Sequence, residues 1–249
     1  MIRTLLIPLI LLFFCSSLWS QNEITIDATV DIETKTIKIS QTISYKNESE
    51  DVLQSIYLND WNNSYSTKST PLAKRFEEEF STKFHLAKNE QRGYTLVTSM
   101  KDENGNPLVF ESLKQHPDVI KVDLDTALQP QASYRIQLDY ILVIPDATFT
   151  DYGFTKEKDF ELKYWYITPT VYDGKWNYYS NKNLDDLFVP KSNVAISITH
   201  PINYRVTSEL DYVSGHRTAD NTSQTTVVFG EDRVDTYLSL RKFPIYGFV

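Results

Sequence analysis

Ile24-Thr25-Ile26-Asp27-Ala28-Thr29-Val30-Asp31-Ile32 alternates apolar and polar side chains without interruption. Successive side chains of a strand point to opposite faces, so this stretch predicts a strand with one dry and one wet face. Glu33-Thr34-Lys35 then supplies a turn, and Ile37, Ile39, Ile43 and Tyr45 carry the pattern on. Two such runs joined by a short polar turn read as a hairpin opening an antiparallel sheet with one solvated face.

Working outward, Val52 to Leu58 reads as a third strand, and Asn59 to Pro71 is polar and turn-rich. A helix follows. Thr70 is a suitable N-cap and Pro71 a suitable first residue. Leu72, Phe76, Phe80 and Phe84 recur every four residues, which predicts one apolar stripe packed on a sheet. Glu77, Glu78 and Glu79 are placed in the first half of that helix. Strands resume at Tyr94 to Thr98 and Leu108 to Phe110, with Asn104-Gly105 as the hairpin turn between them. A calcium loop over Asp102 to Asn106 fits poorly, because the glycine is out of register and the loop is too short. Val119 to Leu124 and Tyr134 to Val143 read as another pair. Ser192 to Thr199, Tyr204 to Leu210, Thr225 to Phe229 and Thr236 to Leu240 form a last set. The expected class is all-β and mainly antiparallel, a bent β-sandwich or saddle-like stack with one amphipathic helix.

The net charge of −8, without a basic stripe, argues against nucleic acid or anionic lipid as a partner. Arg3 followed by the apolar run Leu5 to Phe14 and by Ser16, Ser17 and Ser20 reads as a secretory signal over residues 1–20, too short for a membrane span. The expected protein is exported, periplasmic or extracellular, with residues 21–249 as a single β-rich domain. Cys15 raises lipidation, but Phe13 and Phe14 before it are too bulky for that signal. As Cys15 is the only cysteine, the exported part has no disulfide, thiol nucleophile or thiolate metal site. The last residues, Phe243 to Val249, are mostly apolar and suggest a chain cut before another domain.

Chemistry-bearing motifs are absent. A zinc helix needs two histidines four apart with a glutamate between, and His85, His116, His200 and His216 never approach that spacing. There is neither G-x-S-x-G nor G-x-x-x-x-G-K. His200, before Pro201, reads as a surface or turn residue. The expectation is no catalytic, cofactor-binding or metal residue. Aromatics crowd between Phe149 and Phe188, with Leu162 to Val171 read as a strand and the remainder as a long loop. Tyr164, Trp165, Tyr166, Tyr172, Trp176, Tyr178, Tyr179 and Phe188 are the candidate interface residues. A loop folded over the core, a docking face and a sugar platform all remain open, since Tyr and Trp combine rigid area with a polar tip. Leu184, Leu187, Phe188 and Val189 tilt the choice toward docking.

One resemblance is carried by Ile24 to Ala28 with its hairpin, Ile56-Tyr57-Leu58-Asn59-Asp60-Trp61-Asn62-Asn63-Ser64-Tyr65, Pro71-Leu72-Ala73-Lys74-Arg75-Phe76 and Gln91-Arg92-Gly93. Trp165-Tyr166-Ile167-Thr168-Pro169 and Ile198-Thr199-His200-Pro201 continue it. In this order they resemble the N-terminal domain of the aminopeptidase N family of zinc metallopeptidases, in a bacterial secreted branch. The resemblance implies a bent β-saddle packed in cis on a thermolysin-like catalytic domain. That domain would hold G-A-M-E-N, H-E-x-x-H and the zinc, and neither motif occurs in this chain. The family's N-terminal domain also lends a Gln or Glu to the substrate pocket. The nearest stretch, Ile167-Thr168-Pro169-Thr170, has neither, so no such contact is carried over. Three functions follow as expectations: a non-catalytic accessory domain shaping access to a metallopeptidase domain, an exported carbohydrate-binding β-sandwich using Trp176 near Asn177 and Asn181, or a free-standing envelope scaffold.

Overall fold

The alternation at the start of the sequence becomes a pair of strands in the computed structural model, which describes residues 22–183, 188–234 and 236–243. β1 (Asn22–Asp31) buries every second residue, and β2 (Thr36–Lys46) pairs with it antiparallel, Ile24 opposite Ile43 and Val30 opposite Ile37. Asp31 closes the turn, its Oδ1 accepting from the amides of Glu33 and Thr34.

In chain order there follow β3 (Leu53–Asn59), a 3-10 turn (Trp61–Tyr65), α1 (Pro71–Glu78), α2 (Lys83–Leu86), a second 3-10 turn (Asn89–Gln91), β4 (Tyr94–Lys101), β5 (Val109–Ser112), β6 (Val119–Leu128) and β7 (Ser133–Val143). Then come β8 (Gly153–Phe154), β9 (Phe160–Leu162), β10 (Thr168–Pro169), β11 (Val171–Tyr172), β12 (Trp176–Asn177), β13 (Ser192–Pro201), β14 (Tyr204–Ser208), β15 (Asp211–Arg217), β16 (Ser223–Arg233) and β17 (Leu238–Lys242). The fold is all-β. A seven-stranded sheet runs β15-β16-β13-β1-β2-β7-β4, beside four-stranded sheets β10-β3-β6-β5 and β14-β17-β9-β8 and the ribbon β11-β12. Within the large sheet every pairing is antiparallel except β1 with β13. A parallel neighbour needs a long return path, and here most of the chain lies between the two strands.

One apolar core joins the large sheet to the smaller ones through Ile26, Ile37, Ile136 and Leu142 on one side and Ile56, Leu58, Val122, Phe160 and Trp165 on the other. A polar triangle stitches the same interface. Gln41, in the inward row of β2, donates to the Ile167 carbonyl at 2.6 Å. Tyr140 donates to Gln41 Oε1 at 2.5 Å and accepts from the Ile167 amide at 3.3 Å. All polar atoms in the triangle are satisfied, which makes a buried amide tolerable here. Gly93 passes so close to Pro145 that a Cβ would stand 2.5 Å from its Cδ, which explains a glycine at the entry to β4.

Several expectations need correction. Thr70 does cap α1, accepting from the Ala73 amide at 3.2 Å, with Pro71 leading the helix. The helix nevertheless ends at Glu78. Phe80 turns left-handed at φ 57 and is 93% exposed, while Ser81 N–H reaches back to the Phe76 carbonyl at 2.8 Å. This is the six-to-one bond of a Schellman ending, with Phe in the position glycine usually takes. Phe84 reaches the core from the separate α2, 5.6 Å from Phe76 and 5.0 Å from Phe149 between ring centres. The four-residue spacing of the Phe stripe is thus not one helical face.

The expected turn at Asn104-Gly105 forms, closed by Asp102 N–H to the Asn106 carbonyl and Leu108 N–H to the Met100 carbonyl, but the hairpin goes no further; β5 then leaves to pair with β6 in another sheet. Asp102 uses its carboxylate on Asn104 N, Asn106 N and Asn106 Nδ2 at 2.7–2.9 Å, so the turn's acid is engaged by its own loop. β6 and β7 likewise belong to different sheets. The stretch Leu162 to Val171 is not one strand: β9, β10 and β11 sit in three sheets, and Tyr164 between them is left-handed at φ 53. β15 is a strand that the sequence pattern does not announce. His200 is buried, contacting the Pro201 carbonyl through Nδ1 and Thr226 Oγ1 through Nε2. Residues 1–21, Leu184 to Leu187, Asp235 and Pro244 to Val249 lie outside the described residues, and with them the expected signal segment, Leu184 and Leu187 of the expected docking surface and most of the apolar terminus.

Candidate functional site

Trp61 is the centre of the region to which the aromatics converge. It sits on the 3-10 turn following β3, its indole edge-on to Tyr164 at 4.9 Å, its Nε1 donating to the Tyr179 carbonyl at 3.3 Å. Three recesses share it. A crevice is walled by Asn59, Tyr164, Tyr166, Thr168, Val234 and Thr236. A second small recess lies toward Thr150, Asp151 and Asn181. On the other side a cleft of about 580 Å³ opens between α1 and residues 179–182, lined by Pro71, Lys74, Arg75, Glu78, His116, Tyr179, Ser180, Lys182 and Phe188 as well as Trp61.

The turn holding Trp61 is anchored by polar groups removed from water. Asp60 Oδ1 accepts from Thr95 Oγ1 at 2.6 Å, and Asn62 Nδ2 donates to the same Thr95 oxygen at 3.2 Å. Asn62 Oδ1 accepts from the Tyr152 hydroxyl at 2.8 Å. Asn63 Nδ2 donates to the Pro117 carbonyl, and the Asp60 amide to the Asp118 carbonyl. Asp118 Oδ2 accepts from the Asn181 amide at 2.7 Å, and Ser180 Oγ meets His116 Nδ1 at 2.8 Å. Burial pushes the Asp60 carboxyl up to about 7; Thr95 opposes the shift and the charge of Asp118 adds to it. Burial also raises Asp118, against the hydrogen bonds from Ser180 and Asn181. Asp60 and Asp118 are thus two buried carboxyls, both raised by burial, with the charge of Asp118 pushing Asp60 further the same way.

The eight candidate aromatics divide into three groups. Trp165, 1% exposed, and Tyr166 are core residues of this domain, edge-on to one another at 5.5 Å, and Tyr166 OH accepts from Thr236 Oγ1. Tyr172, Trp176 and Tyr178 join a ladder over β3: Tyr172 edges Trp176, Trp176 tilts against Tyr45 and Tyr57, and Tyr57 stacks on Tyr178 with planes 4° apart. Tyr164, Tyr179 and Phe188 surround Trp61, and Tyr179 and Phe188 are 59% and 52% exposed. Sequence reasoning missed Asp60, Trp61, Asn62, His116, Asp118 and the cleft lysines. The signal was Asp60-Trp61-Asn62-Asn63-Ser64-Tyr65, where aromatic and hydrogen-bonding side chains alternate too densely for an exposed loop. Among the described residues no group of three or more His, Cys, Asp or Glu converges as a metal site, and no helix is long and apolar enough to cross a membrane.

The comparison with solved structures bears on this arrangement. The crystal structure of an M1 zinc metallopeptidase from Deinococcus radiodurans matches at TM-score 0.51 and 11% identity, over 88% of this chain and 42% of the enzyme. The fold is similar to that of the matched region of this enzyme. A mutant of the Deinococcus radiodurans enzyme gives TM-score 0.51 at 10% identity over the same shares. A two-domain M1 zinc metallopeptidase mutant bound to L-tryptophan matches at TM-score 0.50 and 11% identity, over 89% of this chain and 43% of that one. The chain thus spans less than half the length of the structures it matches. No protein-family model and no curated protein sequence matches it.

Proposed function

We propose that this chain is the non-catalytic N-terminal domain of an exported zinc metallopeptidase, packing in cis on a catalytic domain and shaping access to it. The observation that carries the reading is the shared fold over 88% of this chain and only 42% of the enzyme. The sequence supports it, since neither H-E-x-x-H nor G-A-M-E-N occurs. Zinc in this reading belongs to the catalytic domain. The docking face is the crevice side of Trp61, where the half-buried Tyr164 and Thr168 flank the exposed Val234, an apolar surface with polar edges as in an interdomain contact. A sugar platform built on Trp176 is less well supported, because that ring is already engaged by Tyr45, Tyr57 and Tyr172.

The encoding gene tests this directly. An H-E-x-x-H helix within the next domain length, and zinc-dependent aminopeptidase activity in the full product, are the expected results. A stop codon immediately after Val249 would overturn it. So would zinc-dependent turnover of aminoacyl substrates by a clean preparation of this chain alone, because the sequence lacks the H-E-x-x-H motif that supplies the histidine ligands and the base in that chemistry.

A further inference from the structure

The cleft on the far side of Trp61 has a character that the docking reading does not use. Its walls are rings, from Trp61, Tyr179 and Phe188, yet its rim is cationic on a protein whose net charge is −8. Arg75 is engaged by its own helix, at 2.8 Å to Glu79 and 3.7 Å to Glu78. Lys74 on α1 and Lys182 on the opposite wall are exposed and have no ion-pair partner among the described residues. Two lysines without an ion-pair partner among the described residues thus line one largely apolar recess, Lys74 from α1 and Lys182 from the 179–182 stretch.

We propose that this cleft binds an acidic peptide segment that carries an aromatic or large aliphatic side chain. The side chain would lie against Trp61, Tyr179 and Phe188, and flanking carboxylates would meet Lys74 and Lys182. The volume of about 580 Å³ suits two or three residues, within the ordinary range for ligand pockets. No glycine lines the cleft, so there is no glycine loop to cradle a phosphate, and recognition of the anion falls to side-chain point charges. Glu78, His116 and Ser180 add acceptors and donors for a peptide backbone. Lysines at the rim contribute to selectivity and encounter rate, while the rings supply contact area. The site belongs to this chain alone and does not require a catalytic domain, so its failure would leave the docking reading standing.

The test is binding of dye-labelled acetyl-Glu-Phe-Glu-amide to the full chain by fluorescence anisotropy, beside the Gln-Phe-Gln and Lys-Phe-Lys counterparts. The acidic peptide should bind best, and the basic one least. The double variant K74E/K182E should weaken the acidic peptide by about tenfold or more, and Phe188→Ala should weaken both acidic and neutral peptides. Lys38→Glu, on the exposed face of β2, should change neither. Both lysines and Phe188 are exposed, so these variants keep the fold, which circular dichroism verifies. Equal binding of the three peptides, no binding of any, or full acidic-peptide binding by K74E/K182E would overturn the proposal.

Discussion

Asp60 offers the sharpest physical test, because its substitution by asparagine keeps the shape and removes the charge. Its carboxyl is buried and held at about 7, against 3.8 for an unhindered aspartate. Between those values the folded chain binds a proton that the unfolded chain has released, so stability falls as pH rises through the window and levels off above about 7. The full span of roughly three pH units is about 4 kcal/mol, and the portion between pH 5 and pH 8 is about 2–3 kcal/mol. The asparagine side chain in D60N keeps an oxygen to accept from Thr95 Oγ1, so the variant should fold and lack this loss. Other groups titrate too. Burial raises Asp118 in the same sense, while it lowers His200, which adds stability as pH rises toward the ordinary histidine range. The quantity to read is therefore the difference between parent and variant. Urea unfolding at pH 5 and pH 8 should show D60N gaining about 2–3 kcal/mol on the parent across that interval. Parallel stability profiles for the two proteins would refute the reasoning, and with it the assignment of Asp60 as a proton-holding group.

The remaining predictions rest on geometry. Phe80→Gly should raise stability by about 1 kcal/mol, because it relieves a left-handed residue whose ring is in solvent, whereas Phe76→Asp should cost several kcal/mol by burying an unpaired charge; thermal melts of the two variants separate them in sign. Tyr140→Phe should cost about 1–3 kcal/mol, since Gln41 and the Ile167 amide lose their partner inside the core, and chemical denaturation measures it. Gly93→Ala should destabilise, because its Cβ would collide with Pro145, and a lowered melting temperature would show it. Addition of a calcium chelator should leave the melting temperature unchanged, since Asp102 is committed to its own turn.

Strands with one wet face were legible because period-two alternation reports burial directly. β1, β2, β7 and β13 show it along their whole length. Their neighbours were not legible, because alternation carries no information about which strand lies alongside. The parallel pairing of β1 with β13 and the departure of β5 from β4 are decided by packing far away in the chain. β15 escaped for a different reason: every one of its residues is exposed, so it has no dry face to leave a pattern. Phe80 misled because its spacing matched the helix while its backbone had already left it; a phenylalanine in a position that favours glycine gives no warning in sequence.

The site was half legible for a related reason. Crowded aromatics between Phe149 and Phe188 marked the region, but ring type does not say which way a ring faces, and Trp165 and Trp176 turned inward while Tyr179 and Phe188 turned out. The polar residues that fix the site read as loop. Asn62, Asn63 and Asp60 draw their partners from Thr95, Tyr152, Pro117 and Asp118, all distant in sequence. That dependence explains why such residues sit beneath Trp61. An apolar contact can slide by a few tenths of an ångström at little cost, but a buried donor that loses its acceptor costs about 1–3 kcal/mol. A turn held by several such long-range hydrogen bonds therefore has one position relative to both sheets. Trp61, which divides the crevice from the cleft, inherits that position. A face meant to meet another surface in a single register needs this kind of support, and a hydrophobic core by itself does not supply it.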